Sequence, residues 1–314
     1  MAELKATRNG YGEALVELGA KNPKIVVLDA DLSKSTMTYM FGEKYPERFF
    51  NMGIAEQNLI CTAAGFAASG YIPFASSFGI FASGRAYEQI RNTVCYAKLN
   101  VKIGGTHGGI TVGEDGATHQ GLEEIALMRV IPNMCVMVPA DAHEAKMATF
   151  AAAEYDGPVY LRLGRDKVPT ITDYSKQPFE IGKGYALADG SDVTIIATGL
   201  MSAIALEAVK ELAAAGISAA VLHLPTIKPL DKAIIHQFAV KTRAILTCEE
   251  HQTAGGMGSA VCEYLSQNLP TPVKMIGIND VFGESGTPKE LLEEYGLNVK
   301  NVVAAAKDII KMKK

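Results

Sequence analysis

The sequence has no apolar run near the ~18 residues that a membrane-spanning helix needs, and its first residues lack a signal-peptide core. Those absences predict a cytoplasmic chain with no membrane partner. It also lacks a basic run. Only the stretch 311–314 is lysine-rich, as a helix end would be, and the formal net charge is −4. A general nucleic-acid binder, which needs a concentrated basic patch, is therefore excluded. Cysteine is sparse: five residues (Cys61, Cys95, Cys135, Cys248, Cys262), with no Cys-x-x-Cys pair. They read as small buried hydrophobes in a reducing compartment, not as a disulfide or zinc framework. No P-loop occurs, and no glycine-rich turn after the first expected strand fits a dinucleotide fingerprint. Gly-Gly-Met-Gly at 255–258 reads as a tight turn before a helix. Internal repeats and low-complexity segments are absent as well.

What remains is a well-stocked globular chain. Its 314 residues are 48% apolar and 20% charged, enough for two ordinary domains with full cores. Apolar residues at 3–4 spacing predict a helix over 8–21, and short apolar runs predict strands at 24–28, 48–51 and 71–75. A small-residue helix is expected over 56–69 and a further one through Tyr87, Ile90, Val94 and Ala97, with 76–81 as a connection between elements. Strands at 101–103, 134–138 and 159–163 and a helix over 142–154 complete a first unit, 1–165. Prolines and glycines over 166–190 suggest a linker. A second unit, 191–314, repeats the alternation, with strands expected at 193–197, 219–222, 244–248 and 273–276. Its helices are expected at 202–215, 230–238, 257–268, 289–295 and 299–311. Strands alternating with helices at this spacing mean α/β domains, each a mainly parallel sheet flanked by helices.

The glycine-rich stretch 104–121 concentrates chemistry, because His107, Glu114, Asp115 and His119 lie between its glycines. Such a loop lets backbone approach a ligand closely, or it is a long solvated connection. The two histidines are open to metal binding, acid–base work or plain loop hydrogen bonding, although no third histidine or cysteine at ligand spacing supports a metal. Asp115 and His119 suit a polyhydroxylated substrate. Asp29-Ala30-Asp31 follows the first expected strand, where open α/β sheets place their sites. Glu56 begins a helix, where a carboxylate complements the dipole. Among small apolar neighbours it would instead be desolvated and able to share a proton with a ligand nitrogen. Phe78 and Phe81 are either core or a stacking platform for a flat heteroaromatic ring. Arg8, Arg162 and Arg165 are the cations open to an anion or to surface ion pairing.

Three motifs, in this order, resemble the thiamine-diphosphate-dependent transketolase family: Gly53-Ile54-Ala55-Glu56-Gln57, the Phe78/Phe81 segment, and Gly113-Glu114-Asp115-Gly116-Ala117-Thr118-His119-Gln120. The resemblance runs from Arg8 to the C-terminus, as a pyrimidine-binding domain followed by a transketolase C-terminal domain, which Glu249-Glu250-His251 also fits. It implies that Glu56 hydrogen-bonds the cofactor's aminopyrimidine and takes part in its activation, with Phe78 and Phe81 around that ring and Asp31 near the thiazolium. It implies sugar-hydroxyl contacts from His107, Asp115 and His119, and sugar-phosphate contacts from Arg8, Ser35 and Arg165. His107 and His119 join Glu56 as the implied catalytic residues.

Two glycines depart from the pattern: Gly84 stands where the family has an aromatic, and Gly108-Gly109 stand where longer members have polar residues. The family's Gly-Asp-Gly…Asn motif for diphosphate and metal is absent. The expectation is therefore the C-terminal subunit of a two-chain transketolase. Thiamine diphosphate would be shared with an N-terminal diphosphate-binding subunit that, in place of this chain, also supplies the Mg²⁺ or Ca²⁺ ligands, in an α2β2 assembly acting on phosphorylated sugars. Alternatives are a 1-deoxyxylulose-5-phosphate synthase-like subunit, a 2-oxoacid dehydrogenase E1β-like subunit, or a non-catalytic homologue.

Overall fold

The computed structural model describes residues 4–175 and 178–313. Positions 1–3, 176, 177 and 314, which fall in the first unit, the expected linker and the basic C-terminus, lie outside the described residues. The chain opens with β1 (Leu4–Ala6) and a helix, Thr7–Lys21. There follow β2 (Ile25–Asp29), β3 (Phe49–Asn51), β4 (Ile72–Phe78), β5 (Lys102–Thr106), β6 (Cys135–Met137) and β7 (Val159–Arg162). Between them lie the helices Glu56–Ala68 and Ala142–Glu154, among others. β8 (Lys167–Pro169), β9 (Tyr185–Ala188), β10 (Val193–Ala197), β11 (Ala219–His223), β12 (Thr226–Lys228), β13 (Ile245–Gln252) and β14 (Val273–Ile278) complete the strands.

Two sheets carry the fold. The first has the order β12-β6-β7-β5-β4-β2-β3, parallel except for β12, and the second has the order β14-β13-β10-β11-β9, parallel except for β9. β2, β5 and β7 are fully buried, as strands covered on both faces by helices must be. Apolar residues from Val26, Leu59, Ile90 and Ile103 merge with Leu222, Ile235 and Val261 in one continuous core, so the two domains share apolar packing. Among the described residues, no helix is long and apolar enough to cross a membrane.

Four departures from the sequence reading bear on function. β4 extends through Ser76 and Ser77 to Phe78, which were expected in a connection. The buried Ser76 hydroxyl is accommodated there by Tyr11 Oη at 2.7 Å. The helix expected around Ile90 is π-helical, in two segments, Phe81–Arg85 and Gln89–Tyr96. The expected linker, 166–190, contributes β8, paired antiparallel to β1, and β9, which edges the second sheet. β12 belongs by sequence to the second unit yet pairs with β6 in the first sheet, and Val138 N donates to Pro225 O beside it at 2.8 Å. Edge pairing of this kind depends on distant partners, which local pattern does not record.

Candidate active site

β7, β5, β4 and β2 lie side by side, and their C-terminal ends deliver Arg162, Thr106, Phe78 and Asp29 to one edge of the sheet. That edge is where parallel open sheets bind ligands. Asp29 is buried and accepts from Leu32 N at 2.5 Å, Thr36 Oγ1 at 2.6 Å and Thr38 Oγ1 at 2.9 Å. These bonds fold the segment after β2 into a tight turn that presents Ser35 O to Arg8. Burial nevertheless holds the Asp29 carboxyl above its usual range. Asp31 is exposed with φ 65°, and accepts from Asn51 Nδ2 at 2.8 Å.

Past β5, His107 takes φ 57° and lays its ring on Phe78, with centroids 3.8 Å apart and planes 20° apart. Phe78 in turn stacks with Phe81 at 5.7 Å and 16°. His119 sits edge-on to both, at 6.1 Å from Phe78 and 5.3 Å from Phe81, and its Nδ1 is 2.9 Å from Thr118 Oγ1. Arg8 Nη1 lies 3.3 Å from His107 Nε2, and because arginine only donates, Nε2 is the acceptor. The ring proton is then on Nδ1, 3.0 Å from Thr106 Oγ1. Burial, followed by the Arg8 and Arg165 cations and His119, lowers the His107 pKa to about 3. His107 is thus a neutral, oriented imidazole at neutral pH, accepting at Nε2 and carrying its proton on Nδ1.

That depressed value has a sign. Its stabilising contribution is complete above the unfolded pKa of about 6.5 and is lost as pH falls toward the folded value, at up to about 1.4 kcal/mol per pH unit. His107→Asn removes this slope. Urea midpoints for both proteins near pH 7 and near pH 4.5 check it, with a smaller acid loss expected in the variant. Equal losses would contradict the neutral buried imidazole.

Arg8 also donates Nη1 to Ser35 O at 2.8 Å, while its Nε is buried without a hydrogen-bond partner. Burial and the nearby Arg165 cation lower the Arg8 pKa. Arg165 donates to Val112 O and, at 2.8 Å, to Glu114. Two mutually repelling guanidinium groups, one with an orphaned N–H, suit an anion. Arg162 does not join them. It is buried, with Nε 2.5 Å from Glu124 Oε1 and Nη2 2.7 Å from Glu250 O, so its role is to join the two domains.

The glycine-rich loop is packed more tightly than its composition suggested. Its base closes through Gly109 N to Gly121 O at 2.7 Å, and Thr111 N and Oγ1 both donate to Glu250 Oε1 at 2.7 Å. Gly109 has φ 93°, and a Cβ there would lie 2.2 Å from the Glu250 carboxyl carbon. Glycine is required here by the second domain pressing on the loop, a packing reason in addition to any ligand. Asp115 and Glu114 are exposed on its outer turn.

Glu56 is the first residue of its helix and only 4% exposed. Its Oε1 accepts from Arg85 Nη1 at 2.9 Å, and the Arg85 guanidinium lies 4.0 Å from the centre of the Phe81 ring. Sequence reasoning passed over Arg85. Its signal was a cation four residues after Phe81, a spacing that puts two side chains on one face of a helix, and across Phe81–Arg85 the guanidinium lies over the ring. The structure thus joins Glu56, Arg85, Phe81, Phe78, His107, Arg8 and Ser35 in one continuous chain of contacts. Among the described residues no group of three histidine, cysteine or acidic side chains is placed to hold a metal ion.

Comparison with known proteins agrees with this layout. The chain matches the pyrimidine-binding domain of transketolase over residues 3–170 and the transketolase C-terminal domain over residues 182–302. A relative from Methanocaldococcus jannaschii, described as a transketolase C-terminal section, is 53% identical across 95% of this chain and 94% of its own. The 6-deoxy-6-sulfo-D-fructose transketolase subunit of Clostridium sp. (strain MSTE9) is 42% identical across 98% of this chain and 95% of its own. A solved structure described as a split gene transketolase, inactive beta4 tetramer, is 56% identical. It covers 98% of this chain and 99% of its own, with a TM-score of 0.92. The chain therefore belongs to the transketolase family and corresponds to its C-terminal section, a pyrimidine-binding domain followed by the C-terminal domain.

Proposed function

We propose that this chain is the C-terminal subunit of a two-chain transketolase, which moves a two-carbon ketol unit from a ketose phosphate to an aldose phosphate. The observation that carries this reading is the unbroken cluster from Glu56 through Phe81 and Phe78 to His107 and Arg8. One end has a buried carboxylate beside parallel aromatic rings, which fits a flat nitrogen heterocycle. The other end has the orphaned Arg8 Nε and the Arg165 cation, which fit a phosphate.

Thiamine diphosphate, when bound, supplies the carbon nucleophile and electron sink for breaking and forming the carbon–carbon bond. The chain's residues position and polarise. Glu56 shares a proton with a ring nitrogen, and Phe78 and Phe81 flank that ring. Asp31 lies on the loop assigned to the thiazolium side. Arg8, Arg165 and the Ser35 turn hold the sugar phosphate. Neutral His107, with His119 and Asp115, meets the sugar hydroxyls. Mg²⁺ or Ca²⁺ and the diphosphate fall to an N-terminal partner subunit, in an α2β2 assembly in the cytoplasm. A 56%-identical relative described as an inactive beta4 tetramer supports the need for such a partner.

The test mixes this chain with a transketolase diphosphate-binding subunit, thiamine diphosphate and Mg²⁺, and follows ketol transfer between sugar phosphates by mass spectrometry. Transfer by the mixture and none by either chain alone is expected. A complex that binds the cofactor yet transfers nothing overturns the assignment. Pyruvate decarboxylation in its place would favour the 1-deoxyxylulose-5-phosphate synthase-like or E1β-like reading.

A further inference from the structure

Glu56 and the outer face of Phe81 already have an occupant. The Arg85 guanidinium is planar, donates an N–H to the Glu56 carboxylate at 2.9 Å, and lies 4.0 Å from the Phe81 ring centre. Planarity, an N–H donor and a face that stacks on an aromatic are the properties that the proposed function requires of the cofactor's pyrimidine ring. No other side chain among the described residues hydrogen-bonds to Glu56, so without Arg85 a nearly buried carboxylate would be left unpaired.

Arg85 is also able to leave. Its side chain is 50% exposed, and a Cβ at the neighbouring Gly84 would meet nothing within 4 Å. Gly84, where the family has an aromatic, thus leaves open space beside a half-exposed cation. The Arg85 backbone, by contrast, is held: its carbonyl accepts from Gln57 Nε2 at 3.2 Å, on the helix that carries Glu56. The guanidinium can swing into solvent while the main chain stays in register with Glu56.

From this we infer that Arg85 is an internal stand-in for the cofactor ring. It holds the Glu56 side chain in place in the empty subunit and gives way when the ring binds. The inference rests on the proposed function and adds a positioning residue that lowers apparent cofactor affinity. A site occupied by its own side chain binds more weakly in proportion to the fraction of molecules in which that side chain has moved away.

The test is calorimetric titration of thiamine diphosphate, with Mg²⁺, into the complex of this chain and a diphosphate-binding subunit. Arg85→Met keeps an apolar cover on Phe81 but cannot donate to Glu56. It should bind thiamine diphosphate about three- to tenfold more tightly than wild type, the worth of a half-exposed ion pair removed from competition. Arg85→Lys, which pairs but stacks poorly, should fall between them and stands in if the methionine variant fails to fold. Exposed Arg91→Met serves as the charge control and should match wild type. Equal or weaker binding by both Arg85 variants, with wild type binding normally, overturns the stand-in and leaves the proposed function untouched. Absence of binding by wild type and variants alike overturns both.

Discussion

Glu56→Gln lowers ketol transfer by the reconstituted enzyme by about 10²–10⁴-fold, the usual worth of a positioned proton-sharing group. Glutamine preserves the shape and can still accept from Arg85, so folding and subunit assembly are expected to match wild type. What it loses is the negative charge. Glu56 stands at the first position of its helix and is only 4% exposed, so solvent cannot substitute for a missing charge. Glu56→Asp tests reach separately: retracting the carboxylate by one carbon, ~1 Å, should cost about 10²-fold while keeping the charge. Steady-state rates on the reconstituted complex, with cofactor binding measured alongside, separate turnover from affinity. Wild-type turnover in Glu56→Gln would remove Glu56 from the mechanism.

Much of this layout is legible in the sequence because it is written locally. Apolar runs bounded by turn residues mark β2, β5 and β10, and the 3–4 spacing of Tyr11, Leu15 and Leu18 marks the first helix. Glu56 at a helix start and His107 just past a strand follow from the same patterns, and the motif order then suggests roles for them. What stays hidden depends on distance. Arg162 meets Glu124 38 positions away and the Glu250 carbonyl 88 positions away, so nothing adjacent in sequence distinguishes it from Arg165. Arg85 pairs with Glu56 29 positions away, which its neighbours in sequence do not record. The neutral state of His107 comes from burial and from two arginines on other segments. The glycines of the loop looked like room for a ligand, yet Gly109 is set by a carboxylate from the second domain.

The Arg162 cluster carries the largest stability effect. Its guanidinium sits between Glu124, Glu250 and the Gly121 carbonyl, with both acids at most 4% exposed. Removing one member of such a buried set costs about 3–5 kcal/mol, because the remaining charges have no water to turn to. Arg162→Met should show that loss as a lower denaturation midpoint near neutral pH. Its pH dependence is specific. Burial already raises the Glu250 carboxyl to about 7 against the lowering influence of Arg162, and the variant raises it further. A raised folded pKa leaves stability intact below the unfolded value of about 4.3 and erodes it as pH rises through the folded one. The deficit of Arg162→Met should therefore be greatest above about pH 7 and shrink toward pH 4–5. Glu124→Leu combined with Arg162→Met should cost less than the two single changes summed, since the pair leaves together. Strict additivity, or a deficit independent of pH, would mean that the ion cluster does not bind the domains together. The same bonds hold the base of the loop that carries Asp115 and His119. Loss of the cluster should thus raise KM for the sugar phosphate in whatever folded enzyme remains, with Glu56 and the aromatic rings undisturbed.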